Sequence, residues 1–289
     1  MKVLITGAGG QLARALMRAL HSTHEVIALD RSALELTDRA AIRDTLRRSQ
    51  PEVVLNCAAY TAVDRAESER ERAFAVNAHA AAWLAEAASA LGSVLVHFST
   101  DYVFDGRATR PYREEDATAP LNVYGASKLA GEQAVLAHGG HLVLRLSWVY
   151  SHEGANFYRT ILRLARERDR LRVVADQRGV PNYVGDLAEA IAAMLAHGKE
   201  ALAARAGLYH LSARGETTWH GFACQIVRRH GLSERITVEA ITTAQYPTAA
   251  QRPAYSVLDA SRFSATFGWQ PPQWSEGLAR CVAASAEAS

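Results

Sequence analysis

The stretch KVLITGAGGQLARALMRAL (2–20) decides the fold, because a glycine-rich turn joins a short apolar run to an amphipathic segment of helix length. Gly7 and Gly10 carry no side chain, so the backbone there can lie close to a pyrophosphate. The first turn of the following helix would add N–H donors and partial positive charge. Ala13 stands where the G-x-x-G-x-x-A spacing needs a small residue for helix–strand packing. The stretch predicts the strand, phosphate-binding turn and helix that open a dinucleotide-binding domain.

Four more apolar runs follow, separated from one another by segments of helical length. The runs are EVIAL (25–29), EVVLN (52–56), SVLVHF (93–98) and HLVLRL (141–146), and the helical segments are 38–49, 67–91 and 122–137. Apolar strands that alternate with helices are typical of a parallel sheet covered on both faces. With right-handed crossovers, the pattern predicts an α/β protein with a doubly wound parallel sheet of the Rossmann type.

Beyond Trp148 this alternation becomes irregular. Helices fit 156–168, 184–197, 218–230 and 275–286, and short strands fit 171–174 and 208–211. We expect a dinucleotide-binding domain over residues 1–150, to which part of the later chain returns. Residues 151–289 would form a smaller C-terminal lobe that covers the substrate.

Composition argues against several classes of protein. The 289 residues contain 32 basic and 30 acidic side chains, a net charge of +2 with no long run of one sign, which disfavours nucleic acid or an anionic membrane as a partner. No apolar run reaches the roughly 18–20 residues that span a bilayer, and the N-terminus lacks the pattern of a signal peptide. The three cysteines are far apart, so neither a disulfide framework nor a zinc site is indicated. We therefore expect a cytoplasmic protein.

Two strand ends carry residues that suit a dinucleotide. Asp30 ends the second strand, about 20 residues after the glycines, where an acid commonly accepts the hydroxyls of the adenosine ribose. It could instead cap the following turn. Arg31 could pair with a 2′-phosphate, so the two residues leave NADH and NADPH open. Ala58 and Ala59 end the third strand, where small side chains would let a cofactor lie against the backbone, or would simply suit a crowded strand end.

The strongest indication of chemistry is Thr100, at the end of the fourth strand, together with Tyr124 and Lys128. Residues four apart share a face of a helix, and an ammonium beside a phenol favours the phenolate, lowering its pKa from about 10. Only Lys2, Lys128 and Lys199 among the 32 basic residues are lysine, so this lysine is less easily dismissed as generic charge. The alternative is a solvated lysine beside a packed tyrosine. The trio predicts a proton donor and electrophilic assistance for carbonyl reduction.

These motifs resemble those of the extended short-chain dehydrogenase/reductase superfamily: a glycine turn, Asn-x-Ala-Ala and Ser-Thr at strand ends, and Y-x-x-x-K on a helix. Within that superfamily the chain is similar to reductases of sugar nucleotides over nearly its whole length. The stretches that carry the similarity are NCAAYTAVDRAE (56–67), FSTDYVFDG (98–106), PLNVYGASKLAGE (120–132), RLSWVY (145–150), DQRGVP (176–181), GLYHLSARGETTWHGFA (207–223) and YPTAAQRPAYSVLD (246–259).

The resemblance implies a role for specific residues. The catalytic groups would be Thr100, Tyr124 and Lys128. Cofactor contacts would come from Gly10, Gln11, Leu12, Asp30, Ala58, Ala59, Tyr60 and Asn77, and substrate contacts from Asp101, Tyr102, Trp148, Asn156 and Arg252. Trp148 would offer a flat apolar wall to the sugar, and Arg252 would meet a nucleotide phosphate. Taken alone, those two would be a core tryptophan and a solvated arginine.

The reaction implied by the resemblance is reduction of the C4 ketone of a dTDP-sugar, dTDP-4-dehydro-6-deoxy-L-mannose, to dTDP-L-rhamnose. NADPH would supply the hydride, with NADH also possible. Tyr124 would protonate the oxygen, Lys128 would hold the nicotinamide ribose, and Thr100 would orient the carbonyl of the bound substrate.

One feature of the relatives is not matched here. Some of them are dimers bridged by Mg²⁺ on glutamates of the first helix and of the segment before the 184–197 helix. This chain has Ala15 and Gly185 at two of those places. A hard cation needs several carboxylate oxygens, so we expect no bound metal and a monomer or weak homodimer.

Three other functions compete with reduction to dTDP-L-rhamnose. Related dehydratases carry an acidic pair after the threonine, whereas Asp101 is followed by Tyr102, which disfavours dehydration. A 4-epimerase, or a ketoreductase of another nucleotide sugar, needs the same tyrosine and lysine, and steady NADPH consumption would separate epimerase from reductase. A non-catalytic dinucleotide-binding regulatory subunit is disfavoured by the complete set of Thr100, Tyr124 and Lys128.

Overall fold

The computed structural model describes residues 1–287 and has an α/β architecture. Its strands are β1 Lys2–Thr6, β2 Glu25–Leu29, β3 Val53–Asn56, β4 Val94–Thr100, β5 Leu142–Leu146, β6 Val149–Tyr150, β7 Arg170–Val174, β8 Arg178–Gly179, β9 Asn182–Tyr183, β10 Gly207–His210, β11 Thr217–Thr218 and β12 Thr237–Ile241. Its α-helices are α1 Gln11–Leu20, α2 Arg39–Ser49, α3 Val63–Ala66, α4 Arg70–Phe74, α5 Ala80–Leu91, α6 Val123–Ala137, α7 Phe157–Glu167, α8 Val184–Leu195, α9 Lys199–Ala204, α10 Trp219–Arg229, α11 Ser261–Phe267 and α12 Trp274–Glu287.

Six strands form the central sheet in the order β2–β1–β3–β4–β5–β10, and all neighbours are parallel. The chain builds β2 on one side of β1 and then crosses to β3 on the other side. Such a point of reversal opens a crevice at the carboxyl ends of the strands. The prediction of a doubly wound parallel sheet is confirmed. Three short pairs lie outside this sheet: β7–β12 and β6–β9 are parallel, and β8–β11 is antiparallel.

Helices cover both faces of the sheet, which explains why the strands are apolar throughout. On one face Leu16 of α1 and Ile191 of α8 are fully buried in the same apolar cluster. On the other face Leu46 of α2 and Leu84 of α5 are fully buried in a second cluster. Within residues 1–287, no helix is both long and apolar enough to cross a membrane.

The later chain contributes to the first domain. Strand β10 pairs with β5, and α8 packs in the same cluster as α1. A division into lobes at residue 150 stays a prediction, and the last two residues of the proposed 151–289 lobe lie outside the described residues.

The helix predicted over 67–91 is confirmed from Arg70 to Leu91, as three helical segments that follow one another without a break. These segments are α4, a π-turn at Ala75–His79 and α5, and the short helix α3 precedes the predicted range. Asn77, within the π-turn, bonds through its side chain to Tyr60 and Ser127, and such turns often mark functional segments. The two-residue strands and α9 and α11 were not predicted, because segments so short show no hydrophobic period.

A buried ion pair fixes α6 against the sheet. Arg145 of β5 donates to Glu132 of α6 through Nε–Oε1 (2.9 Å) and Nη2–Oε2 (2.8 Å), and both side chains are almost completely buried. His210 Nε2 lies 3.3 Å from Arg145 Nη1. Helix α6 also carries Tyr124 and Lys128, so this pair helps to hold those residues in place.

We expect Glu132→Ala to lower the free energy of unfolding by about 3–5 kcal/mol, because it leaves the guanidinium of Arg145 buried without its carboxylate. The measurement is urea-induced unfolding followed by circular dichroism. Glu86→Ala is the matched control, since it removes the carboxylate partner of Arg39 in an exposed pair and should lower the same free energy by less than about 1 kcal/mol. Equal losses in the two variants would contradict the role assigned to the buried pair.

Candidate active site

A crevice of approximately 980 Å³ opens at the carboxyl ends of the central strands. Its wall is formed by residues within 7–12, 30–36, 57–62, 98–101 and 146–149, together with side chains of α6 and residues 154–155. This is the place at which a doubly wound sheet binds its ligand.

The glycine turn forms one side of the crevice. Gly7 has φ +68°, and a Cβ there would lie 2.8 Å from the backbone of Ala58, so only glycine fits. Gly10 N donates to Gly7 O (2.8 Å), and α1 begins at Gln11 with its free N–H groups at the crevice. The arrangement provides the donors and partial positive charge that a pyrophosphate needs.

The turn after β2 shows whether Asp30 caps this turn, which was the alternative to a contact with the ribose. Oδ1 of Asp30 accepts from Ser32 N (2.9 Å), Ser32 Oγ (2.7 Å) and Ala33 N (3.1 Å), so this residue does cap the turn. Its side chain nevertheless lines the crevice, as does that of Arg31. Asp30 can cap the turn and also contact a ribose, because all three hydrogen bonds of the cap are accepted by Oδ1 and none by Oδ2.

Most of the predicted cofactor residues line this crevice. Those that do are Gly7, Gly10, Gln11, Leu12, Asp30, Arg31, Ala58, Ala59, Tyr60, Tyr124 and Lys128. Asn77 is fully buried behind them, where its Oδ1 accepts from Tyr60 N (2.8 Å) and its Nδ2 donates to Ser127 Oγ (2.9 Å). Its contacts indicate that it positions the segment after β3.

Helix α6 approaches the end of β4 unusually closely. Asn122 caps the helix by accepting from Gly125 N (2.8 Å). A Cβ on Gly125 would lie 2.2 Å from the carbonyl oxygen of Tyr102, so a larger residue would push the helix away. The close approach places Tyr124 beside Thr100, whose side chain acts to lower the pKa of the phenol. The end of β4 and helix α6 therefore lie together, as the sequence predicted.

The predicted lowering of the pKa of Tyr124 by Lys128 is wrong, because Lys128 is not among the groups that shift this pKa. Burial raises the pKa of Tyr124 to about 12, and Asp101 contributes in the same sense. Lys128 Nζ donates instead to Phe98 O (2.6 Å), and burial lowers the pKa of Lys128 to about 8. Spacing along α6 places the two residues on one face, but the ammonium is directed to the strand below.

The sequence did not lead us to predict a chain of buried polar side chains that lies beneath Lys128. His97 Nε2 lies 3.4 Å from Lys128 Nζ, and Asn56 Nδ2 donates to His97 Nδ1 (3.0 Å). Thr6 Oγ1 in turn donates to Asn56 Oδ1 (2.7 Å). Burial and the neighbouring ammonium hold the pKa of His97 well below its usual range, so this imidazole is neutral. A histidine inside the apolar run VLVHF (94–98) was the available signal.

Three of the six predicted substrate residues line the crevice: Thr100, Asp101 and Trp148. Asp101 is buried, and its Oδ1 accepts from Thr100 Oγ1 (3.1 Å). Trp148 has φ +40° and stacks on Trp219, with ring centroids 3.6 Å apart and planes 7° apart. A positive φ at so bulky a residue signals strain. Trp219, from the later chain, is a second residue that the sequence reasoning missed.

The other three predicted substrate residues, Tyr102, Asn156 and Arg252, do not line the crevice in the described chain. Asn156 caps α7, and its Nδ2 donates to Gln11 Oε1 (2.8 Å). Arg252 donates to both carboxylate oxygens of Asp64, at 3.1 Å and 2.8 Å. The ring of Tyr102 lies edge-on to that of Tyr124, with centroids 5.9 Å apart. Their substrate roles stay predictions.

The positions considered for Mg²⁺ lie on a different cavity of approximately 720 Å³, between α1 and α8. Ala15 and Gly185 are part of its wall and have no side-chain oxygen. Throughout residues 1–287, no cluster of three or more His, Cys, Asp or Glu side chains suits a metal ion. The wall of this cavity also contains Glu153 and Glu189, and the expectation of no bound metal stays a prediction.

A doubly wound sheet whose crevice carries the glycine turn, Thr100, Tyr124 and Lys128 defines a member of the extended short-chain dehydrogenase/reductase superfamily. The model of the family described as "RmlD substrate binding domain" matches residues 1–287. The chain therefore belongs to the family of dTDP-4-dehydrorhamnose reductases.

Individual relatives are similar over their whole length. A dTDP-4-dehydrorhamnose reductase of Sinorhizobium fredii is 43% identical over 286 residues, which cover 98% of this chain and 97% of that protein. The crystal structure of dTDP-4-dehydrorhamnose reductase from Bacillus anthracis in complex with NADP has a TM-score of 0.92 and 38% identity, covering 98% of this chain and 99% of that chain. An orthologue from Clostridium acetobutylicum also has a TM-score of 0.92, with 37% identity and the same coverage.

Burial of Asp101 should make the stability of the protein depend on pH. Burial raises the pKa of its carboxyl to about 7 from an ordinary value of 3.8. The folded state therefore holds the proton more tightly than the unfolded state, so the free energy of unfolding contributed by this group falls as pH rises from about 4 to about 7.

In Asp101→Asn this contribution should be absent. The free energy of unfolding of the variant minus that of the wild type should grow through this pH range, by on the order of 4 kcal/mol. Urea unfolding of both proteins between pH 4.5 and 8 measures the difference. A difference that stays constant with pH would show that the carboxyl is not protonated in the folded protein.

Proposed function

We propose that this protein reduces the C4 ketone of dTDP-4-dehydro-6-deoxy-L-mannose to dTDP-L-rhamnose with NADPH, NADH being the alternative donor. The observation that carries the proposal is the presence of Thr100, Tyr124 and Lys128 in one crevice with the glycine turn. The names of the relatives support the substrate, and the NADP complex of the Bacillus anthracis enzyme supports the dinucleotide.

The residues present fit a dinucleotide. Gly7 leaves room for a phosphate where any side chain would meet Ala58, and the first turn of α1 presents unpaired N–H groups. Ser99 Oγ, also in the crevice wall, is a buried polar atom without a hydrogen-bond partner among the described residues. Residues 7–12 would hold the pyrophosphate, and Ala58, Ala59 and Tyr60 would border the adenosine half. When bound, the reduced nicotinamide supplies the hydride that C4 receives.

Tyr124 would act as the proton donor. Because burial raises its pKa to about 12, the phenol is protonated at neutral pH and holds the proton that the C4 oxygen needs. Thr100 lies beside that phenol and would orient the same carbonyl oxygen. Lys128, buried in the same wall, would hold the nicotinamide ribose.

The sugar would lie against Trp148, whose indole plane is fixed by the stack on Trp219. Asp101, beside Thr100, is placed to bond a sugar hydroxyl. Arg252 lies near Tyr102, whose ring is edge-on to that of Tyr124, and would meet the diphosphate of the substrate. The monomeric or weakly dimeric state and the cytoplasmic location remain predictions.

The decisive experiment couples the purified protein to enzymes that generate the dTDP-4-keto sugar. Reduction predicts steady loss of NADPH or NADH absorbance, matched mole for mole by dTDP-L-rhamnose identified by NMR spectroscopy. A 4-epimerase would change the sugar without net consumption of the dinucleotide. A regulatory subunit would bind the dinucleotide and turn over neither compound.

We expect Tyr124→Phe to bind NADPH with near-normal affinity and to lose at least about 100-fold in kcat, because it removes the general acid while keeping the ring. Initial rates and fluorescence titration measure the two effects. Tyr246→Phe is the matched control, since Tyr246 is 59% exposed and should keep wild-type rates. Near-normal turnover of the Tyr124 variant would refute its proposed role.

A further inference from the structure

The turn that follows β2 contains a carboxylate that neither the motifs nor the proposed reaction uses. Glu35 lines the same crevice wall as Asp30 and Arg31. Its Oε2 accepts from Arg31 Nε (2.9 Å), four residues earlier in the chain. The cation next to the ribose-binding position is therefore already paired with an anion of the protein.

Glu35 is held in this place from its other side. Its Oε1 accepts from Thr37 N (3.1 Å) and from Thr37 Oγ1 (2.8 Å). These bonds lower the pKa of Glu35, so the carboxylate is ionised at neutral pH. Both oxygens are engaged, one by the local backbone and one by Arg31, which makes the carboxylate a fixed feature of the turn.

The charges of this turn bear directly on the choice of dinucleotide. Asp30 and Glu35 contribute two negative charges and Arg31 one positive charge. A 2′-phosphate, at about −1.5 to −2, would have to enter this negative surface and compete for a guanidinium already bound to a carboxylate. A 2′-hydroxyl brings no charge and can donate to Asp30.

Resting on the proposed function, we propose that Glu35 is a specificity-determining residue for the dinucleotide: by holding Arg31, it weakens NADPH relative to NADH. Arg31 is 72% exposed at its side chain, so its guanidinium is free to turn to a phosphate once the carboxylate is removed. The native enzyme then accepts both dinucleotides. Its preference between NADPH and NADH is set by competition between the carboxylate of Glu35 and the 2′-phosphate for the guanidinium of Arg31.

The test compares kcat/KM for NADPH and for NADH in the wild type and in Glu35→Gln. The ratio of kcat/KM for NADPH to kcat/KM for NADH should rise by about two- to fivefold in the variant, the range expected for an exposed charge interaction. The rise should shrink at 0.5 M salt, because exposed charges are screened. Glu167→Gln is the matched control: it breaks an exposed Arg–Glu pair with the same four-residue spacing on α7, and should leave the ratio unchanged.

Arg31→Ala provides the second arm. In the Glu35→Gln background it should return the ratio towards the wild-type value, whereas in the wild-type background it should change the ratio by less than about twofold, since the guanidinium is already neutralised. An unchanged ratio in Glu35→Gln overturns the proposal, and so does an equal effect of Arg31→Ala in both backgrounds.

Fluorescence titration with each dinucleotide separates this failure from failure of the proposed function. Tight binding of both dinucleotides with an unchanged ratio overturns only the role of Glu35. Absence of binding by either dinucleotide overturns the proposed function and the role of Glu35 together.

Discussion

The contact between α6 and the end of β4 is the constraint on which the site depends. Gly125 lies so close to the carbonyl of Tyr102 that the helix sits against the strand end with no side chain between them. Lys128, one turn further, reaches the carbonyl of Phe98 on the strand itself. The two contacts set the distance and rotation of the helix, and so decide where the phenol and the ammonium lie relative to Thr100.

Burial gives these groups their chemical character. The same removal from water makes the phenol of Tyr124 harder to ionise and the ammonium of Lys128 easier to deprotonate. Below them the charges of Glu132 and Arg145 balance one another, while His97 and His210 have pKa values lowered by burial and remain neutral.

Features with a local cause could be predicted from the sequence. The glycine turn, the apolar strands and the Thr100, Tyr124 and Lys128 set depend on neighbouring residues or on a helical spacing, and the structure brings them together as expected. The order of the sheet follows from alternation and handedness, which are also readable in one sequence.

Other features depend on partners distant in the chain, and these were missed. Arg252 pairs with Asp64, 188 residues away, so its position could not be read from its own segment. The direction of the pKa shift of Tyr124 depends on the burial of its phenol, which elements distant in the chain produce. The π-turn inside the helical stretch 70–91 likewise involves Asn77 and the two segments to which it bonds.

The position of β10 has a consequence for how the chain is made. This edge strand is synthesised more than sixty residues after β5, its only neighbour in the sheet as described. During translation β5 is left with an uncovered row of backbone amides and carbonyls, a template for pairing with other nascent chains. Strand β5 can pair with β10 only when residues 207–210 have left the ribosome. A product truncated before these residues would therefore be prone to aggregate.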